Sequence, residues 1–150
     1  MNIVEIIVAS ILFIVDRVIK HHVIHAKNIY RFFSWFSIKG ATNTGLAFSI
    51  FDNKITIYVV AIAFLVFFSW MLLILHKKQY IFGSYLILFG GASNLFDRLY
   101  YSGVVDYIQC TCFSKALPVF NVADIMIVCG VSFAIFSLMS QNKYQKELNK

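Results

Sequence analysis

The chain has 150 residues, 60% of them hydrophobic and only 13% charged. Soluble domains are about half apolar and about a quarter charged, so a water-soluble fold of this size is excluded and one domain in a bilayer is expected. The net charge is +6. The basic residues flank apolar runs and form no single block, and no nucleic-acid recognition motif is present, so membrane lipids and not nucleic acid are the expected counter-charge.

Four apolar runs follow in chain order, and a helix of about 20 apolar residues crosses a bilayer core. The first, at about 3–19, reaches that length only by continuing through Asp16 and Arg17. It lacks a basic leader and a small-residue cleavage site before the polar stretch, so it reads as a retained span and not as a signal peptide. Residues 20–54 come next and mix aromatic with polar side chains, as in Tyr30-Arg31-Phe32-Phe33-Ser34-Trp35-Phe36-Ser37-Ile38. Part of this stretch alternates apolar and polar, which predicts short strands or an interfacial segment. The second run, 55–75, and the third, 80–96, carry no charge, and His76-Lys77-Lys78-Gln79 joins them as a tight helical hairpin. A second long connection, 97–118, contains Gly103 and Pro118, and the fourth run, 119–139, has Asp124 as its one charge. The pattern predicts an all-α membrane protein with four transmembrane helices. Lys77 and Lys78 in the short loop, with Lys143, Lys146 and Lys150 in the tail, put both termini on the cytoplasmic side by the positive-inside rule. Lys20, Lys27, Arg31, Lys39 and Lys54 on the opposite side pull against that assignment.

Cysteines add little. There are three, with no zinc-type spacing. Cys129 sits in an apolar run, and a disulfide between Cys110 and Cys112 would close a very short, strained ring, so free thiols are expected.

The polar residues are more informative. Four spans bring the end of the first, the start of the second, the end of the third and the start of the fourth to one face. Asp16, Arg17, Lys20, Asn43, Asn94, Asp97, Arg98, Asp106, Asn121 and Asp124 all stand at or beside those ends. Ionisable groups at a bilayer edge are costly, which makes them functional candidates. The bland reading is that they cap helices and pair with one another; Asp16 and Lys20, four apart, fit it. Asp124 fits it least, because it lies in an apolar helix with no Lys or Arg nearby in sequence. If Asp106 and Asp124 meet, one carboxyl keeps a proton and the other does not, which supplies an acid and a base at one pH. Spacing alone leaves open whether they meet. His21, His22 and His25 lack the His-Glu-x-x-His pattern, no Gly-x-Ser-x-Gly elbow is present, and Gly90-Gly91 suits close helix packing. No metal site is expected. The rival class is a non-enzymatic four-span protein, a small transporter or assembly factor, in which Asp124 would bind a cation or relay a proton; transporters often show repeated halves, and none is visible.

Five motifs in order carry a resemblance over essentially the whole chain: Asp16-Arg17-Val18-Ile19-Lys20, Asn43-Thr44-Gly45-Leu46-Ala47-Phe48, Asn94-Leu95-Phe96-Asp97-Arg98, Gly103-Val104-Val105-Asp106-Tyr107-Ile108 and Phe120-Asn121-Val122-Ala123-Asp124. Together they resemble the prolipoprotein signal peptidases (signal peptidase II), a family of membrane aspartic endopeptidases. The resemblance implies four transmembrane helices, a small extracytoplasmic strand-rich cradle and a short extracytoplasmic helix before the fourth span. It implies Asp106 and Asp124 as the catalytic pair. Asn43, Asn94, Arg98 and Asn121 would hold the substrate or the polar network, and Asp16, Lys20 and Asp97 would support the architecture. The implied substrate is a bacterial lipoprotein precursor with a diacylglyceryl cysteine, cut just before that cysteine at the extracytoplasmic face of the cytoplasmic membrane. The expected working unit is a monomer, with no cofactor. Two positions depart from the family pattern: Ser93 stands where Gly is usual, and Tyr107 where Phe is usual.

Overall fold

The computed structural model describes residues 3–26, 29–44, 55, 58, 59, 62–64, 66–68, 70, 83–113 and 115–148. The chain opens with helix α1 (Ile3–Ala26), followed by strands β1 (Ile29–Phe33) and β2 (Phe36–Asn43). Helix α2 (Ser84–Tyr101), strands β3 (Val104–Cys112) and β4 (Lys115–Ala116), and helix α3 (Val122–Leu148) complete the order. The described positions between 55 and 70 are helical. The four strands form one sheet in sequence order, each antiparallel to its neighbour.

The expectation of an all-α chain is overturned. The connection 97–118, where a short extracytoplasmic helix was expected before the fourth span, holds the strands Val104–Cys112 and Lys115–Ala116. The cause is local composition: Val104-Val105-Asp106-Tyr107-Ile108 is rich in β-branched and aromatic side chains that suit a pleated, half-buried surface. β2 then supplies an edge for it, pairing Ile38 with Ile108, Ala41 with Asp106 and Asn43 with Val104. Four transmembrane helices are overturned with it, because among the described residues no helix is long and apolar enough to cross a membrane. Charges interrupt the candidates: Glu5, Asp16, Arg17 and Lys20 lie within α1, and α2 runs on through Asp97 and Arg98. Most of the uncharged run 55–75, and the His76–Gln79 hairpin, lie outside the described residues.

Two apolar clusters hold the elements together. Ala9 of α1, Tyr85 and Leu86 of α2 and Met126 of α3 pack where the three helices meet. Val23 of α1 packs on Val105 and Tyr107 of β3, which seats the sheet on the end of α1. At the opposite end of α1, the buried Glu5 accepts a hydrogen bond from the Gly83 N–H (2.6 Å), fixing the start of α2. Gly90 brings α2 and α3 into close contact, since a Cβ there would sit 2.6 Å from the Ala123 carbonyl oxygen. One helical turn beyond Gly90 stands Asn94, which is thereby delivered to the first turn of α3.

Candidate active site

The beginning of α3 is built by a reciprocal cap. Asn121 is the residue before the helix and Asp124 is three residues on. The Asp124 N–H donates to Asn121 Oδ1 (2.8 Å), and the Asn121 N–H donates to Asp124 Oδ2 (3.1 Å). This is the geometry of a capping box, in which each side chain satisfies a backbone N–H that the helix leaves free. The cap fixes the Asp124 side chain and turns its other oxygen towards α2, where Asn94 Nδ2 donates to Oδ1 (2.8 Å).

Asp106 reaches the same place from the sheet. The Tyr107 and Ile108 N–H groups donate to the Phe120 carbonyl (3.0 and 2.7 Å), and the Phe120 N–H donates back to Ile108 (3.1 Å). That bridge lays the residue before Asn121 against β3. Asn121 Nδ2 then donates to Asp106 Oδ1 (2.7 Å), while Asn43 Nδ2 at the end of β2 donates to Oδ2 (3.1 Å). Gly103 allows the second contact, because a Cβ there would lie 2.8 Å from the Asn43 carbonyl oxygen. Asp106 is only 4% exposed. Burial is the largest influence on its carboxyl and raises its pKa above the ordinary range; the charge of Asp124 raises it further, while the bonds from Asn43 and Asn121 oppose both. One residue, Asn121, therefore touches both acids. Arg98 is part-buried, donates to the Asn94 carbonyl oxygen (3.2 Å), and lies within electrostatic reach of Asp124, Asp106 and Asp97.

Beneath the pair lies a knot of fully buried charges. Lys20 Nζ meets Asp16 Oδ2 (2.9 Å), Asp97 Oδ2 (2.8 Å) and Asn94 Oδ1 (2.8 Å). Its three donors are thus directed at three acceptors. Arg17 pairs with Asp97 and lies over the Phe96 ring, 4.2 Å from its centre. The knot reaches the sheet and α3 by hydrogen bonds: the Val105 N–H donates to Asp97 Oδ2 (3.1 Å), and the Ala123 N–H donates to Asp16 Oδ1 (3.3 Å). Asn94 joins the two layers, accepting from Lys20 with its oxygen and donating to Asp124 with its nitrogen.

The structure brings all nine sequence-derived site residues into this two-layer network. Three contributors were not assigned a role from sequence. Arg17 was grouped with the other polar residues but given none. Ser93 and Tyr107 were noted only as departures from a pattern. Their hydroxyls converge on one carboxylate: Ser93 Oγ donates to Asp16 Oδ2 (2.6 Å) and Tyr107 Oη to Asp16 Oδ1 (2.8 Å). Burial, with Asp16 second, pushes the Tyr107 phenol far above its ordinary pKa, so it serves as a fixed donor. The histidines stand apart, with His25 Nδ1 against the His21 carbonyl oxygen (2.7 Å) on the exposed end of α1. Among the described residues, no three His, Cys, Asp or Glu side chains gather closely enough to hold a metal ion.

The family described as Signal peptidase (SPase) II matches residues 8–140. A lipoprotein signal peptidase of Caldicellulosiruptor bescii is 34% identical over 115 residues, covering 76% of this chain and 74% of that protein. One from Wigglesworthia glossinidia brevipalpis is 29% identical over 141 residues, covering 89% and 92%. The fold is shared with a solved bacterial membrane enzyme at a TM-score of 0.80 and 24% identity, covering 96% of this chain and 92% of that one. A second solved bacterial membrane enzyme gives a TM-score of 0.73 at 22% identity, covering 90% and 92%. On a family match that spans nearly the whole chain and a relative 34% identical over 76% of it, this chain belongs to the signal peptidase II family.

Proposed function

We propose that the chain is an aspartic endopeptidase that removes the signal peptide from diacylglyceryl-modified bacterial prolipoproteins, cutting just before the lipidated cysteine. The carrying observation is that one buried amide side chain, Asn121, holds Asp106 through its nitrogen and Asp124 through its backbone N–H. In this reading Asp106, whose pKa burial raises, is the acid of the pair. Asp124 takes a proton from water, whose oxygen attacks the scissile carbonyl carbon; the proton on Asp106 leaves with the departing amine. Two carboxyls and one water supply every group this hydrolysis uses. Asn43, Asn94 and Arg98 hold the pair and the substrate backbone, while Asp16, Lys20 and Asp97 keep the elements in register.

The reaction belongs at the extracytoplasmic face of the bacterial cytoplasmic membrane. Exposed apolar side chains along α1 (Ile7, Ile11, Ile14) and α3 (Val128, Phe136, Met139) support contact with lipid. The test is incubation of the purified full chain with a diacylglyceryl-modified precursor and with the same precursor unmodified, followed by mass spectrometry. A product beginning at the lipidated cysteine, from the modified precursor alone, is expected. An uncut modified precursor, or cutting elsewhere, overturns the reading.

A further inference from the structure

A helix leaves its first backbone N–H groups without partners inside the helix. At the start of α3 the cap serves those of Asn121 and Asp124. Val122 and Ala123, between them, are held from outside. The Val122 N–H donates to Tyr107 Oη (3.2 Å), and the Ala123 N–H to Asp16 Oδ1 (3.3 Å). Tyr107 Oη in turn donates to that same Asp16 oxygen (2.8 Å). A phenol has one proton to give, and accepts through its lone pairs. With the proton committed to Asp16, it is the lone pairs that face Val122. Tyr107 is 1% exposed and Asp16 0%, so bulk water is no alternative partner. Adjacent residues of β3 therefore hold adjacent residues at the start of α3. Asp106 takes the Asn121 side chain, and Tyr107 takes the Val122 N–H.

We propose that Tyr107 is a positioning residue: its hydroxyl, fixed by Asp16, holds the first turn of α3 so that Asp124 keeps its place beside Asp106. An anchor for Asp16 would need only the donated bond. The accepted bond reaches the turn that carries Asp124. Tyr107 follows Asp106 in the chain, and Val122 stands two residues before Asp124, so this bond ties together the two segments that bear the acids. The effect on rate rests on the cleavage reading; the effect on the two carboxyls does not.

Two variants of the full chain remove this bond from opposite ends. Tyr107→Phe takes away the hydroxyl, and with it the bond to Asp16. Val122→Pro takes away only the N–H, at the first helical position, where proline suits the backbone. Cleavage of the diacylglyceryl-modified precursor is followed against substrate concentration and pH. A catalytic group misplaced by about 1 Å costs about 10²-fold, and with the cap intact the shift is smaller, so kcat should fall about tenfold in each variant. KM should stay near the wild-type value, because neither change removes a substrate contact. The double variant should be little slower than either single one, since both remove the same bond. Infrared titration of the Asp106 carboxyl reads the placement apart from activity. A loosened turn weakens the influence of Asp124, so the Asp106 pKa should fall in both variants. Wild-type kcat and pH profile in folded Val122→Pro overturn the proposal and leave Tyr107 an anchor of Asp16 alone. A wild type that leaves the precursor uncut defeats the cleavage reading by itself; the titration then decides the positioning, and an unmoved Asp106 pKa in folded Val122→Pro overturns it. Should neither variant fold, amide exchange of the wild type decides: the Val122 N–H should exchange as slowly as that of Ile125, and fast exchange overturns the proposal.

Discussion

Four aspartates lie within two layers of one network and have opposite surroundings. Asp16 and Asp97 are wholly buried and face Lys20, with Arg17 also on Asp97. Asp106 and Asp124 face amides, from Asn43, Asn94 and Asn121. A cation in contact with a buried carboxylate holds it in place by a charge-assisted hydrogen bond. An amide orients a carboxyl in either protonation state, which leaves it free to exchange protons. On the proposed reading, the same side chain is structural in one layer and chemical in the other.

The largest effect that tests this contrast is on rate. Asp106→Asn and Asp124→Asn keep shape and remove the acid–base function, so each should fold and lose about 10²–10⁴-fold in cleavage. The double variant should be little slower than either single one, because the two act as a unit. Full activity in a folded Asp124→Asn protein would erase the distinction between the layers. In the lower layer the sign is reversed. Lys20→Met leaves Arg17 on Asp97 and takes from Asp16 its cation, and breaking such a buried group costs about 3–5 kcal/mol. Denaturant unfolding should show that loss, while cleavage per folded molecule changes far less than in the Asp→Asn variants. A stable Lys20→Met protein with no turnover would move Lys20 into the chemistry.

Smaller effects sharpen the boundary. Tyr107→Phe removes a hydrogen bond to the charged Asp16 and should destabilise by about 1.5–3 kcal/mol. Ser93→Gly removes the bond to the other Asp16 oxygen. Because both act on one carboxylate, the double variant should depart from the sum of the singles; strict additivity would show that the two hydroxyls do not share it. The finest measurement is a titration. Asp124 contributes to the raised pKa of Asp106, so Asp124→Asn should lower it. Burial is the larger raising cause and is untouched by the substitution, so the fall should be only part of the upward shift. Infrared absorption of the protonated Asp106 carboxyl against pH reads this, and a rise would contradict the assigned charge coupling. In the wild type, activity should fall at low pH as the base is protonated and at high pH as the acid is lost, with two apparent pKa values belonging to the pair.

The site was more legible than the fold. Motif spacing found Asn94, Asp97 and Arg98 on one helix, and Asn121 with Asp124, because helical neighbours recur every three or four residues. The i, i+4 pair of Asp16 and Lys20 was readable for the same reason. Asp106 was placed beside the others only by its motif, since its position depends on β3 meeting β2 and Phe120, contacts between residues far apart in the chain. The strand at 104–112 lies in the connection 97–118, where the helix expected came from the resemblance alone, and the β-branched composition of Val104-Val105-Asp106-Tyr107-Ile108 is the signal that favours strand. Ser93 and Tyr107 were visible as unusual residues, but their shared target on α1 is a three-dimensional fact. The alternation at 30–38 predicted strands or an interfacial segment, and the described hairpin is strand.

The Asn121 clamp carries one more consequence. An amide has no titration of its own between the acidic and basic extremes, so the clamp is blind to pH. Whichever acid holds the proton, Asn121 presents the same two donors to the same two carboxyls. The scaffold therefore has no reason to relax and re-form between turnovers, and a neutral hydroxyl-bearing mimic of the hydrated carbonyl would meet a site already set, exchanging with water and leaving the protein's own bonds intact.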